Sequence, residues 1–209
     1  MSDFILNTKG ELDLQTAFER PADDLDFVIG GILGILAGTV GSLIAAGSTG
    51  KGFLSFGLLA DLATGRDLLG LGIEECDQKT AYLTFEDPVQ ILHQRMHSLG
   101  EHFSPDDRRK MAERMHIESQ LGNICHLVTP DGYHNQKLVD QMCRAFEGNR
   151  FVMIDTLRRI HAGDENNGSH MSLLIACFEQ IAQKTGCCLF YRPERVLEIL
   201  TDLSEGGVL

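Results

Sequence analysis

Basic side chains are scarce in this sequence. Its 209 residues carry 18 Lys and Arg against 30 Asp and Glu, a formal net charge of −12. That deficit excludes a protein that coats nucleic acid by bulk attraction, which needs a surplus of cations. A local basic surface is still compatible with it. Proline is sparse too, 5 residues against 22 Gly, with 43% hydrophobic and 23% charged residues. This composition excludes collagenous, disordered and disulfide-scaffold chains, and the length suits one sizeable domain or at most two small ones. None of the cysteines at 76, 125, 143, 177, 187 and 188 is spaced C-x-x-C, and Cys187 and Cys188 are neighbours. That arrangement suits neither a zinc knuckle nor an easy disulfide. No secretory signal opens the sequence, so reduced thiols in a cytoplasm are expected. Internal repeats and low-complexity tracts are absent as well.

Phe27 to Ala46 is a run of twenty residues without charge, and Gly30, Gly34 and Gly38 sit four apart in it. Such spacing occurs in membrane helices that pack closely. Five glycines, the absence of a basic flank and the acidic start at Asp23, Asp24 and Asp26 argue instead for a buried loop and strand.

Residues 1–25 read as a polar arm. Val40 to Ala46 reads as a short buried strand, followed by a glycine turn and a helix over 53–64 closed by Gly65. A second strand covers 80–85. Asp87-Pro88 then starts a helix whose Val89, Leu92, Met96 and Leu99 share one face until Gly100. Ser104-Pro105 repeats that start for a polar helix, and a strand is expected over 115–121. Further elements are a helix over 136–146, a buried strand over 150–155, a helix over 171–185 and a strand over 187–191. Strands and helices alternate and the strands are apolar throughout, which predicts a mainly parallel α/β sheet.

Three places carry chemistry. In Ala45-Ala46-Gly47-Ser48-Thr49-Gly50-Lys51-Gly52, a strand, a glycine turn, a lysine and a helix start follow one another, as a phosphate-binding loop requires. The pattern G-x-x-x-x-G-K-[ST] is broken by Ala45 and by Gly52, where a magnesium-binding hydroxyl is expected. The alternative is a glycine turn with an exposed lysine. Glu86 follows the second strand and is placed to face a crevice, while Asp87 is expected to cap the next helix. Asp155 ends a hydrophobic strand, as the metal-positioning carboxylate of ATP sites does; capping is its alternative. Ligands of parallel sheets bind along the edge of the strand C-termini, so Lys51, Glu86 and Asp155 are expected to converge there. Arg158 and Arg159, just beyond, are candidates to reach phosphate or a neighbouring subunit. His93 and His97 have no carboxylate between them in the metalloprotease pattern, and Arg108-Arg109-Lys110 reads as balanced surface.

The segment Leu36 to Leu43, the Gly47–Lys51 loop, Tyr82 to Pro88 and Asp155-Thr156-Leu157-Arg158-Arg159-Ile160-His161 occur in one characteristic order. Over roughly residues 24 to 191 the sequence resembles the RepA-type hexameric replicative helicases of IncQ plasmids, which are RecA-like ATPases. The resemblance implies a RecA-like P-loop ATPase core at 26–191, between the arm and a divergent tail at 192–209. It implies that ATP is held by Gly47, Ser48, Thr49, Gly50, Lys51 and Gly52, with Lys51 on the phosphates. Glu86 would polarise the attacking water, and Asp155 would position Mg²⁺ through water. It further implies a homo-hexamer that moves along single-stranded DNA, in the cytoplasm and away from membranes. The sequence departs from that family at Gly52 and again after Tyr191. There the family continues with a sensor histidine, DNA-contacting loops and an arginine that reaches the neighbour's ATP. Here Arg192-Pro193-Glu194 leads into an expected helix over 194–203, so a shortened member is expected. Nucleotide binding is implied more strongly than hydrolysis, and hydrolysis more strongly than unwinding. The competing class is a RecA-fold regulatory or scaffold protein that binds nucleotide with little or no catalysis; a small-molecule kinase, with no arginine-rich lid in view, is more remote.

Overall fold

Strands with apolar residues at consecutive positions must bury both faces, because alternate side chains point to opposite sides. The computed structural model, which describes residues 12–31, 33–45, 49–162 and 167–193, satisfies that requirement with helices on each side of one sheet. Its strands are β3 (Val40–Ser42), β4 (Lys79–Thr84), β5 (Met115–Ser119), β6 (Asn149–Asp155) and β7 (Cys188–Arg192). They lie in the order β3-β7-β6-β4-β5, every neighbouring pair parallel. The fold is α/β around a parallel sheet, as the alternation of strands and helices predicts.

Strand parity sorts the core. Ala81, Val152, Ile154 and Leu189 face helices α5 (Gln136–Phe146) and α6 (Gly168–Thr185), packing with Val139, Phe178 and Ile181. Tyr82, Phe151, Met153 and Cys188 face the other way, toward Phe56, Leu59 and Leu62 of α2 (Lys51–Thr64) and Leu92 of α3 (Val89–Gly100). Each large side chain so buried contributes roughly 1.5–3 kcal/mol relative to exposure. Helix α4 (Pro105–Arg114) closes a smaller cluster with Phe103 and Met111.

Several boundaries differ from expectation for local reasons. The strand expected over 40–46 ends at Ser42, since β3 pairs only with β7 over three residues. Helix α6 begins at Gly168 rather than Met171, because the Asn167 side chain accepts from the Ser169 and His170 amides. Asp87 does not cap α3; Pro88 holds the N-cap position and the Asp87 carboxylate is taken by Arg95. The uncharged stretch after the arm contains a two-stranded antiparallel ribbon, β1 (Phe27–Ile29) with β2 (Ile35–Leu36), unforeseen from the sequence. Its glycine-rich turn lies against Gly72, whose carbonyl accepts from the Gly30 amide at 3.1 Å. Among the described residues no helix is long and apolar enough to cross a membrane. The described part of the arm holds one short helix, α1 (Leu14–Glu19), with no buried side chain. The helix expected over 194–203 lies outside the described residues.

Candidate functional site

A parallel sheet brings the C-terminal ends of all its strands to one edge. There, a cavity of about 380 Å³ opens between the start of α2 and the ends of β4, β6 and β7. Lys51, Gly52, Glu86, Arg95 and Arg192 form the part of its wall that carries chemistry, with Thr49 and Gly50 beside them. Gly47 and Ser48, expected in the phosphate loop, lie outside the described residues.

The start of α2 shows why the loop sequence matters. Gly50 takes the position before the helix with φ +84°, a left-handed conformation that costs a glycine little and other residues more. Lys51 is the first helical residue, and its ammonium donates to the Ala45 carbonyl across the loop. The turn and the first residues of this 14-residue helix, 49 to 53, line the cavity. Such a helix start, with a lysine beside it, is a site for phosphate oxygens.

Asp155 reaches the same region from below. Positions 151, 153 and 155 share the face of β6 that packs toward α2, and Asp155 is 1% exposed. The Tyr82 hydroxyl, one step back on β4, donates to its Oδ2. Arg192 of β7 stands directly opposite Asp155 in the parallel register. Its Nε lies 2.6 Å from Asp155 Oδ1, and its Nη2 lies 3.7 Å from Glu86 Oε2. The Asp155 contact is an ion pair without aligned hydrogen-bond geometry, since Oδ1 has no hydrogen-bond partner. Burial pushes the Asp155 carboxyl above the ordinary carboxylate range, while the Tyr82 hydroxyl and the Arg192 charge pull the other way. Burial and the Asp155 charge push the Tyr82 phenol up, so it serves as a donor.

Arg95 of α3 completes the wall, its Nη2 3.1 Å from Asp87 Oδ1 in a two-pronged pair. Neither Arg95 nor Arg192 was singled out by sequence reasoning. For Arg192 a signal was present: it follows the apolar run of β7 just as Asp155 follows that of β6. Arg158 and Arg159 are exposed on a short 3-10 turn, Leu157–Arg159. They line a separate hollow with Asn123, Ile124 and His126, away from Lys51.

The structure thus brings Lys51 and Glu86 onto one cavity, sets Asp155 beneath it behind Arg192, and leaves Arg158 and Arg159 outside. As a magnesium site the donor set fits poorly. Mg²⁺ at nucleotide phosphates is held by one or two carboxylates, waters and phosphate oxygens. Here position 52 supplies no oxygen, and both available carboxylates already face the Arg192 guanidinium. Among the described residues no group of three or more His, Cys, Asp or Glu gathers as a metal site.

The AAA domain family matches residues 16–191. Among solved structures, the crystal structure of the RadB recombinase resembles the chain with a TM-score of 0.44 and 15% identity. The alignment covers 77% of this chain and 64% of that one, less than two thirds of the recombinase.

Proposed function

We propose, because this chain belongs to the AAA domain family of RecA-like P-loop ATPases, that the cavity at the start of α2 is its ATP site. The observation that carries this reading is the meeting of Lys51, the α2 N-terminus and Glu86 on one cavity at the C-terminal edge of a parallel sheet. Lys51 and the first-turn amides hold the β- and γ-phosphates. Glu86 is the group placed to orient and deprotonate an attacking water. ATPase domains of this class generally take their nucleotide with Mg²⁺, whereas here Asp155 and Glu86 already face the Arg192 guanidinium.

Lys51→Ala tests the site. Wild-type protein is expected to melt at a higher temperature in millimolar ATP or ADP, and the variant to lose that rise. A wild type whose melting ignores nucleotide would make the loop a structural turn.

A second reading is a domain that holds nucleotide but turns it over slowly or not at all, acting through its surface. Gly52 and the pairing of Arg192 with both Asp155 and Glu86 favour it. Coupling of turnover to single-stranded DNA, in a six-membered ring, is proposed on the resemblance to RepA-type helicases alone. Stimulation of turnover by single strands would support that coupling, and its absence would favour the surface-acting reading.

A further inference from the structure

The charge arrangement of the cavity is tied to what position 52 lacks. The phosphate-loop pattern calls there for a hydroxyl that binds the metal. At Gly52, an added Cβ would meet Arg95 Nη1 at 3.5 Å and Arg192 Nη1 at 3.9 Å. Guanidinium groups from α3 and from the end of β7 therefore converge on the space beside the missing hydroxyl. A divalent cation placed there would sit beside two guanidiniums that already occupy the neighbouring carboxylates.

The same guanidinium holds the carboxylates. Arg192 turns Nε to the buried Asp155 and Nη2 toward Glu86, which leaves Nη1 as the end nearest the phosphate loop. A guanidinium is always charged, and its planar fork matches phosphate oxygens in a way an ammonium does not. Asp155 and Asp87 hold Arg192 and Arg95 in position before any ligand arrives, so little further ordering is needed on binding. Register enforces the arrangement, since Asp155 and Arg192 are partners across adjacent parallel strands.

We propose that Arg192, assisted by Arg95, takes the place of the divalent cation in this pocket. The ligand it fits is then a nucleoside di- or triphosphate bound as the metal-free anion, with Lys51 lining the same cavity. This rests on the assignment of the cavity as the nucleotide site, and the test separates the two.

Isothermal titration of the full chain with ADP and with ATP, once in excess Mg²⁺ and once in excess EDTA, reads the inference directly. The dissociation constants are expected to agree within about threefold in the two buffers. Binding retained in Mg²⁺ but lost in EDTA overturns the inference and leaves the nucleotide site standing. Absence of binding in both buffers overturns the nucleotide site itself, and the inference with it. In EDTA, Arg192→Ala is expected to weaken binding about tenfold or more, and Arg192→Lys less. Because Arg192→Ala leaves Asp155 buried beside no cation, its folding is checked by thermal melting; the wild-type comparison stands independently of that variant. A folded Arg192→Ala protein that binds in EDTA as tightly as wild type also overturns the inference.

Discussion

At the scale of single residues, Glu86 is where the proposed ATP site separates holding the nucleotide from cleaving it. It lines the same cavity as Lys51, with Arg192 Nη2 at 3.7 Å. Glu86→Gln keeps the size of the side chain and removes its ability to take a proton. Binding of ATP is therefore expected to change little, while steady-state phosphate release falls about 100-fold or more. Loss of binding and turnover in equal measure would make Glu86 a structural carboxylate. A wild type without turnover would instead favour the second reading, with Arg192 holding the base. Lys51 and Glu86 were legible in the sequence because each lies beyond an apolar strand, and parallel strands end together. Arg192 obeyed the same rule and was passed over, because a guanidinium after a strand matches no familiar pattern. Asp87 was misread for the opposite reason: a carboxylate before proline has the form of a cap, and only the packing of α3 shows Arg95 taking it.

Among elements, one charged contact ties the N-terminal segment to the sheet beside its buried Val28 and Ile29. Asp26, between α1 and β1, accepts from Arg150 of β6 at 2.7 Å, and Arg150 also donates to the Phe27 carbonyl at 2.8 Å. The Arg150 hydrogen bond holds the Asp26 carboxyl below the ordinary carboxylate range, against a smaller opposing effect of burial. A lowered carboxyl stabilises the fold above its unfolded pKa, and that contribution disappears as pH falls through its folded pKa. The pair is largely exposed on the Asp26 side, so its worth is small, about 0–1 kcal/mol. Asp26→Asn is expected to lower the melting temperature by about 1–3 °C at neutral pH. That gap should narrow as the melts are repeated below the ordinary carboxylate range, and close once the pH has fallen through the lowered folded pKa of Asp26. A gap that stays constant with pH would mean the variant acts through packing rather than charge. The ribbon of β1 and β2 was not legible, because short strands rich in glycine lack the periodicity that marks longer ones. The helices were legible wherever a cap announced them: Ser104 before α4, Gly65 after α2 and Gly186 after α6.

For the whole molecule, charge and sheet order matter together. A net charge of −12 gives little unspecific attraction to a polyanion. Outside the cavity at the start of α2, Arg158 and Arg159 are the basic pair the sequence offers near the strand ends, and both are exposed. Two phosphate contacts on a single strand would give a slope of about −1.4 for log K against log salt. Binding of an oligothymidylate is therefore expected to be weak, with a slope near that value, in an anisotropy titration across salt concentrations. A slope several times steeper, together with a concentration-independent hexamer in light scattering, would mean that assembly builds a basic channel the single chain does not display.

By itself the sequence determined the local chemistry: a glycine turn that admits a left-handed residue, a lysine at a helix start, apolar strands that must be covered on both faces, and carboxylates at their ends. These follow from conformational and burial preferences that act over a few residues. The order of the strands was left to tertiary structure, because parallel neighbours are joined through long crossovers and no local signal names the partner. That order sets β7 beside β6, and with it Arg192 opposite Asp155. One of the two guanidiniums that flank Gly52 is thus supplied by a residue 140 positions away in the chain (192 − 52), through a register that exists only once the sheet has formed.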